Sequence, residues 1–285
     1  MDWLAAVERL RSRGEAGVLV TVAEVRGHSP REAGAKMVVG AHATWGSVGG
    51  GNLEATAIER ARLMLGDPAA EPTMFTTKLS DKAPVGHGVQ CCGGEVTLLL
   101  EPLAVRPAVA IFGVGHVGLE LARILARHAV ELHLVDSRPE QLSAEVLAVL
   151  DDAVAGIHPH HVPVLPELVL GELPVGTHVL VMTHDHAEDA AIIDAALRTS
   201  QLGTIGLIGS SAKWSRFRAK LADEGHDEEA IARIITPIGI ADLSGKDPAT
   251  IAVSVAASLL REFERTTQNR VSSLPERDPA PGHQR

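Results

Sequence analysis

The sequence predicts an α/β protein in two parts. An α+β domain spans residues 1–101. A Rossmann-like doubly wound parallel sheet follows over 107–264, and a disordered tail over 265–285. Two observations carry the second part. Ala108-Val109-Ala110-Ile111-Phe112 runs directly into Gly113-Val114-Gly115-His116-Val117-Gly118. A second apolar run, Leu132-His133-Leu134-Val135, then ends on Asp136, about 20 residues beyond the glycines. Strand, G-x-G-x-x-G, helix, strand and terminal acid form the dinucleotide-binding fingerprint in its full context, where a lone G-x-G-x-x-G would be weak. The first hundred residues lack this pattern, and their loops hold the unusual residues.

In chain order, Val18 to Val22 reads as a strand, followed by a Gly- and Pro-punctuated loop from Arg26 to Met37 with a further strand starting at Lys36. Asn52 is a good N-cap residue. It precedes a helix to about Leu65, with Leu53, Ala57, Ala61 and Leu65 at i, i+4 spacing. Val96 to Leu100 is a buried strand, and Pro102 and Pro107 bracket a linker. Beyond the fingerprint, Val117, Leu121, Ile124 and Leu125 mark its helix. The run His158-Pro159-His160-His161 reads as an exposed loop. His178 to Met182 and Thr204 to Ile208 are strands, each followed by a helix. Ile251, Val255 and Leu259 mark a final helix before the chain turns polar near Thr266.

Composition excludes several function classes. A formal net charge of -10 opposes a nucleic-acid partner, which requires a basic face. No apolar run approaches the ~20 residues of a membrane span. An acid at position 2 and the lack of an apolar stretch after it argue against a signal peptide. Two cysteines do not make a disulfide framework, so cytoplasm is the expected location. With no Tyr, 4 Phe and 3 Trp, the core is aliphatic.

Four segments carry candidate chemistry. The two cysteines are adjacent, in Gln90-Cys91-Cys92-Gly93-Gly94. Neighbouring Cα atoms lie ~3.8 Å apart, short of the roughly 4.4–6.8 Å of ordinary disulfides. Cys91 and Cys92 therefore read as free thiols, either packed as small hydrophobes or serving as thiolates for a soft metal or sulfur chemistry. Gly49-Gly50-Gly51 before a helix start is an anion-binding arrangement, with Arg31 and Lys36 as candidate cations. Glu54 in the first helical turn favours the dipole and competes with a phosphate for the same amides. Gly113, Gly115 and Gly118 offer backbone N–H groups to a pyrophosphate, and Asp136 offers an acceptor to a ribose hydroxyl. His184-Asp185-His186 reads either as a metal site or as a helix start capped by Asp185.

Together these segments resemble the xanthine dehydrogenase accessory protein family, XdhC, related to the CoxI group. The similarity runs to about residue 264. Its most telling stretches are Ser29 to Met37, Gly46 to Glu54, Gln90 to Gly94, Gly113 to Gly118, Val135 to Pro139, Met182 to His186, Gly206 to Ser210, Pro237-Ile238-Gly239 and Gly245 to Pro248. Asn52 departs from the His that relatives often carry, and Ser210-Ser211-Ala212 is less basic than theirs. The resemblance implies a chaperone rather than an enzyme. It would bind the molybdenum cofactor (molybdopterin) transiently and support installation of its terminal sulfido ligand with a cysteine desulfurase. It would then deliver the cofactor to the molybdenum-binding subunit of xanthine dehydrogenase. The resemblance makes Cys92 the expected metal ligand, with Cys91 secondary, and adds Asn52, Glu54, His184 and His186 to the cofactor-binding set. It leaves open a nucleotide in the Rossmann domain and assembly as a homodimer. The rival is an NAD(P)-dependent oxidoreductase drawing a proton donor from His116, His184 or His186.

Overall fold

The computed structural model describes residues 2–67, 69–79, 94–243 and 245–272, with 266–272 as backbone only. The chain divides into two compact units. The first comprises residues 1–10, 16–104 and 263–285, and the second 11–15 and 105–262.

The first unit contains most of α1 (Trp3–Arg13), with β1 (Gly17–Arg26), β2 (Lys36–Gly40), β3 (Thr44–Gly46), α2 (Gly51–Leu65), β4 (Thr73–Lys78) and β5 (Glu95–Leu103). Its strands form an antiparallel sheet in the order β3-β2-β1-β5-β4. Alternation sends Val18, Val20 and Val22 to one face, where Met37, Val39, Leu98 and Leu100 join Leu53, Ala57 and Ala61 of α2. Leu19 and Val38 point the other way, toward Ala6, Val7 and Leu10 of α1. The period of two in β1 and of about four in α2 thus bury complementary stripes.

The second unit contains β6 (Ala108–Phe112), α3 (His116–Leu125), β7 (Glu131–Asp136), α4 (Ala144–Leu147), β8 (Gly156–His161), β9 (His178–Val181), α5 (His186–Arg198), β10 (Ile205–Leu207), α6 (Ser211–Asp223), α7 (Glu228–Ala232) and β11 (Ile234–Ile235). The helix α8 (Pro248–Ser272) follows. The strands are parallel in the order β11-β10-β9-β6-β7-β8. Counted from β6, this is the order 6-5-4-1-2-3 of a Rossmann sheet, and the direction of winding reverses between β6 and β9. Ala110 and Phe112 face a core shared with Ile192, Ile193 and Ala196 of α5. Ile111 faces the opposite side, where a Cβ on Gly118 of α3 would lie 3.3 Å from it.

Three expectations change. His158, His160 and His161 belong to the edge strand β8, not a loop; a Pro at position 159 is tolerated there because an edge strand need not donate on both sides. The register sets His158 opposite His133, and their rings stack with centroids 4.7 Å apart. His133 Nδ1 lies 3.1 Å from His160 Nε2, and His158 Nε2 lies 2.8 Å from Glu131 Oε2. Burial, followed by the neighbouring His158 and His160 charges, pushes His133 down to about 3. Second, the last helix continues to Ser272, past the point at which the tail was expected, because no proline interrupts it before Pro275. Third, Asn52 is not the cap of α2. Gly50 holds that position, so Asn52 is already inside the helix.

Candidate cofactor site

In the first unit, register alone gathers the loops. Thr21 pairs with Lys36, Met37 with Gly46, Arg26 with Glu95, and Lys78 with Glu95. The loop after β1, the turn after β3, the end of β4 and the start of β5 therefore leave one end of the sheet. Leu79 donates its N–H to the Gly94 carbonyl at 2.8 Å. A Cβ on Gly94 would overlap the His28 carbonyl oxygen and come within 2.9 Å of that of Arg26. Only glycine allows backbone this close. Cys91 and Cys92 lie outside the described residues.

The glycine turn packs under the same loop, since a Cβ on Gly49 would sit 3.3 Å from Pro30. Its Gly49, Gly50 and Gly51 all have positive φ, at 135°, 72° and 59°. Glu54 closes it from within. The Gly50 N–H donates to Glu54 Oε2 at 3.1 Å, Ser47 Oγ donates to the same oxygen at 2.6 Å, and the Gly49 N–H reaches Ser47 Oγ at 3.2 Å. A carboxylate of the protein thus stands where an external anion would be held. Arg31 is exposed and lines a cleft of about 420 Å³ with Pro30, Glu32, Ala33 and Ala35. Lys36 points to the other side of the sheet, toward α1: its Nζ donates to Thr21 Oγ1 at 2.9 Å and lies 5.5 Å from the Trp3 ring centre. The structure therefore brings Gly49, Gly50, Asn52 and Glu54 together beside the loop that carries Arg31, and it does not bring the Lys36 ammonium to them.

In the second unit, the glycine loop leaves β6 at the reversal point. Gly113, with φ of 99°, has no room for a side chain: a Cβ would overlap the Met182 carbonyl oxygen and lie 2.8 Å from Thr183 Cα. Gly115 caps α3 with no side-chain bond, at a negative φ of -76°. A Cβ there would meet nothing nearer than Arg138 Nη2 at 4.0 Å. Of the three glycines, Gly115 therefore borders open space, while Gly113 and Gly118 serve close packing.

Asp136 is 2% exposed, and donors of the protein satisfy it. The Val114 N–H donates to Oδ2 at 2.7 Å. Arg138 donates its own N–H (3.0 Å) and Nε (2.9 Å) to Oδ1, and Nη2 (2.9 Å) to Oδ2. Burial pushes the Asp136 carboxyl up, but the bonds from Arg138 and Val114 outweigh it and hold the group below the ordinary carboxylate range. The side chain of Arg138 keeps 29% of its surface exposed. From α5, Glu188 reaches Ser137 Oγ at 3.4 Å. Burial, with the charges of Asp136 and Asp189, raises its pKa against the opposing His184 charge and Ser137 hydrogen bond.

His184 and His186 sit at the start of α5, where Asp185 caps the helix by accepting the Ala187 N–H at 2.7 Å. His186 is 75% exposed and stands edge-on to Phe217. Among the described residues, no group of three or more His, Cys, Asp or Glu is arranged to hold a metal ion. The carboxylate that organises this corner is Asp189, fully buried, which accepts from Thr183 N (3.0 Å), Thr183 Oγ1 (2.8 Å) and Lys213 Nζ (2.6 Å). Sequence reasoning singled out the stretch Val135 to Pro139 but gave Arg138 no role, and it overlooked Glu188, Asp189 and Lys213. The spacing Asp136-x-Arg138 was a legible signal, because an i, i+2 pair can close on itself just past a strand. Lys213 and Asp189 meet only through the packing of α5 and α6, which no local pattern announces.

These features define a class: a glycine-rich antiparallel α+β unit and a Rossmann unit whose crevice meets a tethered arginine. The profile described as XdhC Rossmann domain matches residues 109–259, and that described as XdhC and CoxI family matches residues 10–76. The chain belongs to the XdhC family. It is 29% identical to the molybdenum cofactor insertion chaperone PaoD of Escherichia coli K12 over 288 aligned positions, covering 89% of this chain and 85% of that protein. It is 24% identical to the uncharacterized protein YqeB of the same organism, covering 85% of this chain and 43% of YqeB. It is also 24% identical to a probable xanthine dehydrogenase subunit of Bacillus subtilis 168, covering 59% of this chain and 46% of that protein. The chain thus spans less than half the length of two of these relatives.

Proposed function

We propose that this chain is an accessory protein, not a turnover enzyme, that binds the molybdenum cofactor and hands it to a xanthine dehydrogenase-type client. The observation that carries this reading is the alignment with a cofactor insertion chaperone across 89% of this chain and 85% of the relative, which takes in both units. The residues fit a phosphate-bearing ligand better in the second unit than in the first. Gly115 borders open space next to the Arg138 guanidinium. At the glycine turn, an incoming phosphate must displace Glu54 from the Gly50 amide. In this reading the Cys92 thiolate of the first unit suits the soft metal, with Cys91 secondary, and Gly115 and Arg138 form an anion site of the second unit by itself. The proposal extends to sulfuration of the cofactor with a cysteine desulfurase partner, in the cytoplasm. Among the described residues no helix is long and apolar enough to cross a membrane.

Equilibrium dialysis with freshly released cofactor under anaerobic conditions tests the reading. Saturable binding in the micromolar range, about 8 kcal/mol, is the expected result, and its absence contradicts the proposal. Cys92→Ser should lose most of that affinity in a stably folded protein and Cys91→Ser should lose less. Unchanged affinity in Cys92→Ser removes the thiolate from the site.

A further inference from the structure

The end of the second strand is the place at which a Rossmann fold distinguishes ligands. An acid there accepts from the ribose hydroxyls of one class of dinucleotide, and an arginine nearby accommodates a phosphate on the same ribose. This chain has both groups, as Asp136 and Arg138, and their geometry decides between them. Both Asp136 oxygens are taken, Oδ1 by two donors of Arg138 and Oδ2 by Val114 and Arg138. With the residue 2% exposed, its carboxylate has no free edge to offer a diol. Arg138 is the exposed partner, and its Nη2 is the nearest atom to the open side of Gly115, 4.0 Å from a Cβ built there. A ligand lying over the glycine loop therefore meets a guanidinium where the acid of the fingerprint would be expected.

We infer that Arg138 is the specificity-determining residue of this crevice, that it selects a ligand carrying a phosphate at this position over one presenting a bare ribose diol, and that Asp136 is a positioning residue that aims it. A guanidinium held by Nε and one Nη still has donors for a phosphate, and its planar fork matches phosphate oxygens. The bidentate tie to Asp136 fixes the side chain before the ligand arrives, which lowers the entropy lost on binding. Glu140 and Glu188 also face Arg138 and moderate the attraction. This goes beyond the chaperone reading, because it concerns which anion the crevice takes and holds whether or not that anion belongs to a molybdenum cofactor.

The probes are 2′,5′-ADP and 5′-AMP, which share the 5′-phosphate and differ only in the 2′-phosphate, titrated calorimetrically into the full chain. The expected result is binding of 2′,5′-ADP at least about tenfold tighter than 5′-AMP, the ratio given by one charge-assisted hydrogen bond. Arg138→Met should bring the ratio close to one, and Arg138→Lys should leave an intermediate value, since charge remains but the fork is lost. Glu188→Gln should raise the ratio. Asp136→Asn should lower it at temperatures where that variant is still folded, a change in the ratio that a purely structural role would not produce. If Asp136→Asn does not fold, the two Arg138 variants still decide the matter. Equal affinity for the two probes, a ratio unchanged by Arg138→Met, or no binding of either at millimolar concentration overturns the inference. None of these outcomes depends on the dialysis experiment, so failure of one proposal is distinguishable from failure of the other.

Discussion

The two glycine-rich turns of this chain look alike in sequence and differ in how their anion requirement is met. At Gly49-Gly50-Gly51 the carboxylate comes from the following helix: Glu54, four residues beyond the cap, folds back onto the Gly50 amide and Ser47. At Gly113 to Gly118 it comes from the neighbouring strand. Asp136 takes the Val114 amide but is itself neutralised by Arg138. The first turn is thus closed by an acid of its own helix, and the second is faced by a cation. Glycines announce that backbone can approach something closely. Whether that something is a ligand or the protein depends on the nearest ionised side chain.

Substitutions at the glycines should separate the turns most strongly. Gly113→Ala places a Cβ onto the Met182 carbonyl at a φ of 99°, and it should destabilise the second unit by about 4 kcal/mol or more. Gly50→Ala, with nothing within 4 Å of its Cβ, should cost only the backbone penalty of its glycine-favouring conformation, φ 72° and ψ -177°, about 1–3 kcal/mol. Denaturant unfolding followed by circular dichroism measures both, and similar losses would mean that the second loop is no tighter than the first.

The carboxylates come next. Asp136→Asn should cost about 2–4 kcal/mol, less than a fully buried broken pair because Arg138 keeps contact with water. Glu54→Gln, at a half-buried helix start, should cost about 1 kcal/mol. It should also tighten binding of inorganic phosphate to the first unit, because the Gly50 amide no longer faces a fixed negative charge. Calorimetric titration of phosphate into Glu54→Gln and the unaltered chain checks the sign.

Acid should affect the second unit in a smaller and graded way. His133 is pushed from 6.5 down to about 3 by burial beside His158 and His160. A depressed folded value means that the unfolded chain takes up the proton first, so this contribution is fully present above pH 6.5 and is lost as pH falls toward 3. Asp136, also depressed, adds a loss in the same direction that begins lower, as pH falls through the ordinary carboxylate range. The melting temperature should decline from pH 7 to pH 4, and His133→Gln should flatten that decline. A slope unchanged in the variant would assign the acid sensitivity to other groups.

Legibility followed the physics of each element. The Rossmann half could be read because parallel strands buried on both faces are continuous apolar runs, as in Ala108 to Phe112, and because the glycine spacing has one structural meaning there. The short edge strands β3 and β4 could not, since Thr44-Trp45-Gly46 and Thr73 to Lys78 are half exposed and lack a clean apolar period. The strand β8 was hidden by Pro159 and its histidines, which find partners only across the sheet. Of the site, the glycines and Asp136 were legible as a motif, but the role of Asp136 was not, because it depends on where the Arg138 side chain turns. Lys36 was placed among the cations by composition, and the alternation of β2 turned it to the other face.

Client maturation tests the chaperone reading most directly. A cofactor-free xanthine dehydrogenase is incubated anaerobically with limiting molybdenum cofactor, with and without the full chain, and the active fraction is followed over time. The expected result is faster and more complete activation when the chain is present, with the chain recovered free of cofactor at the end. Activation at the same rate and to the same extent without it would contradict a role in cofactor delivery.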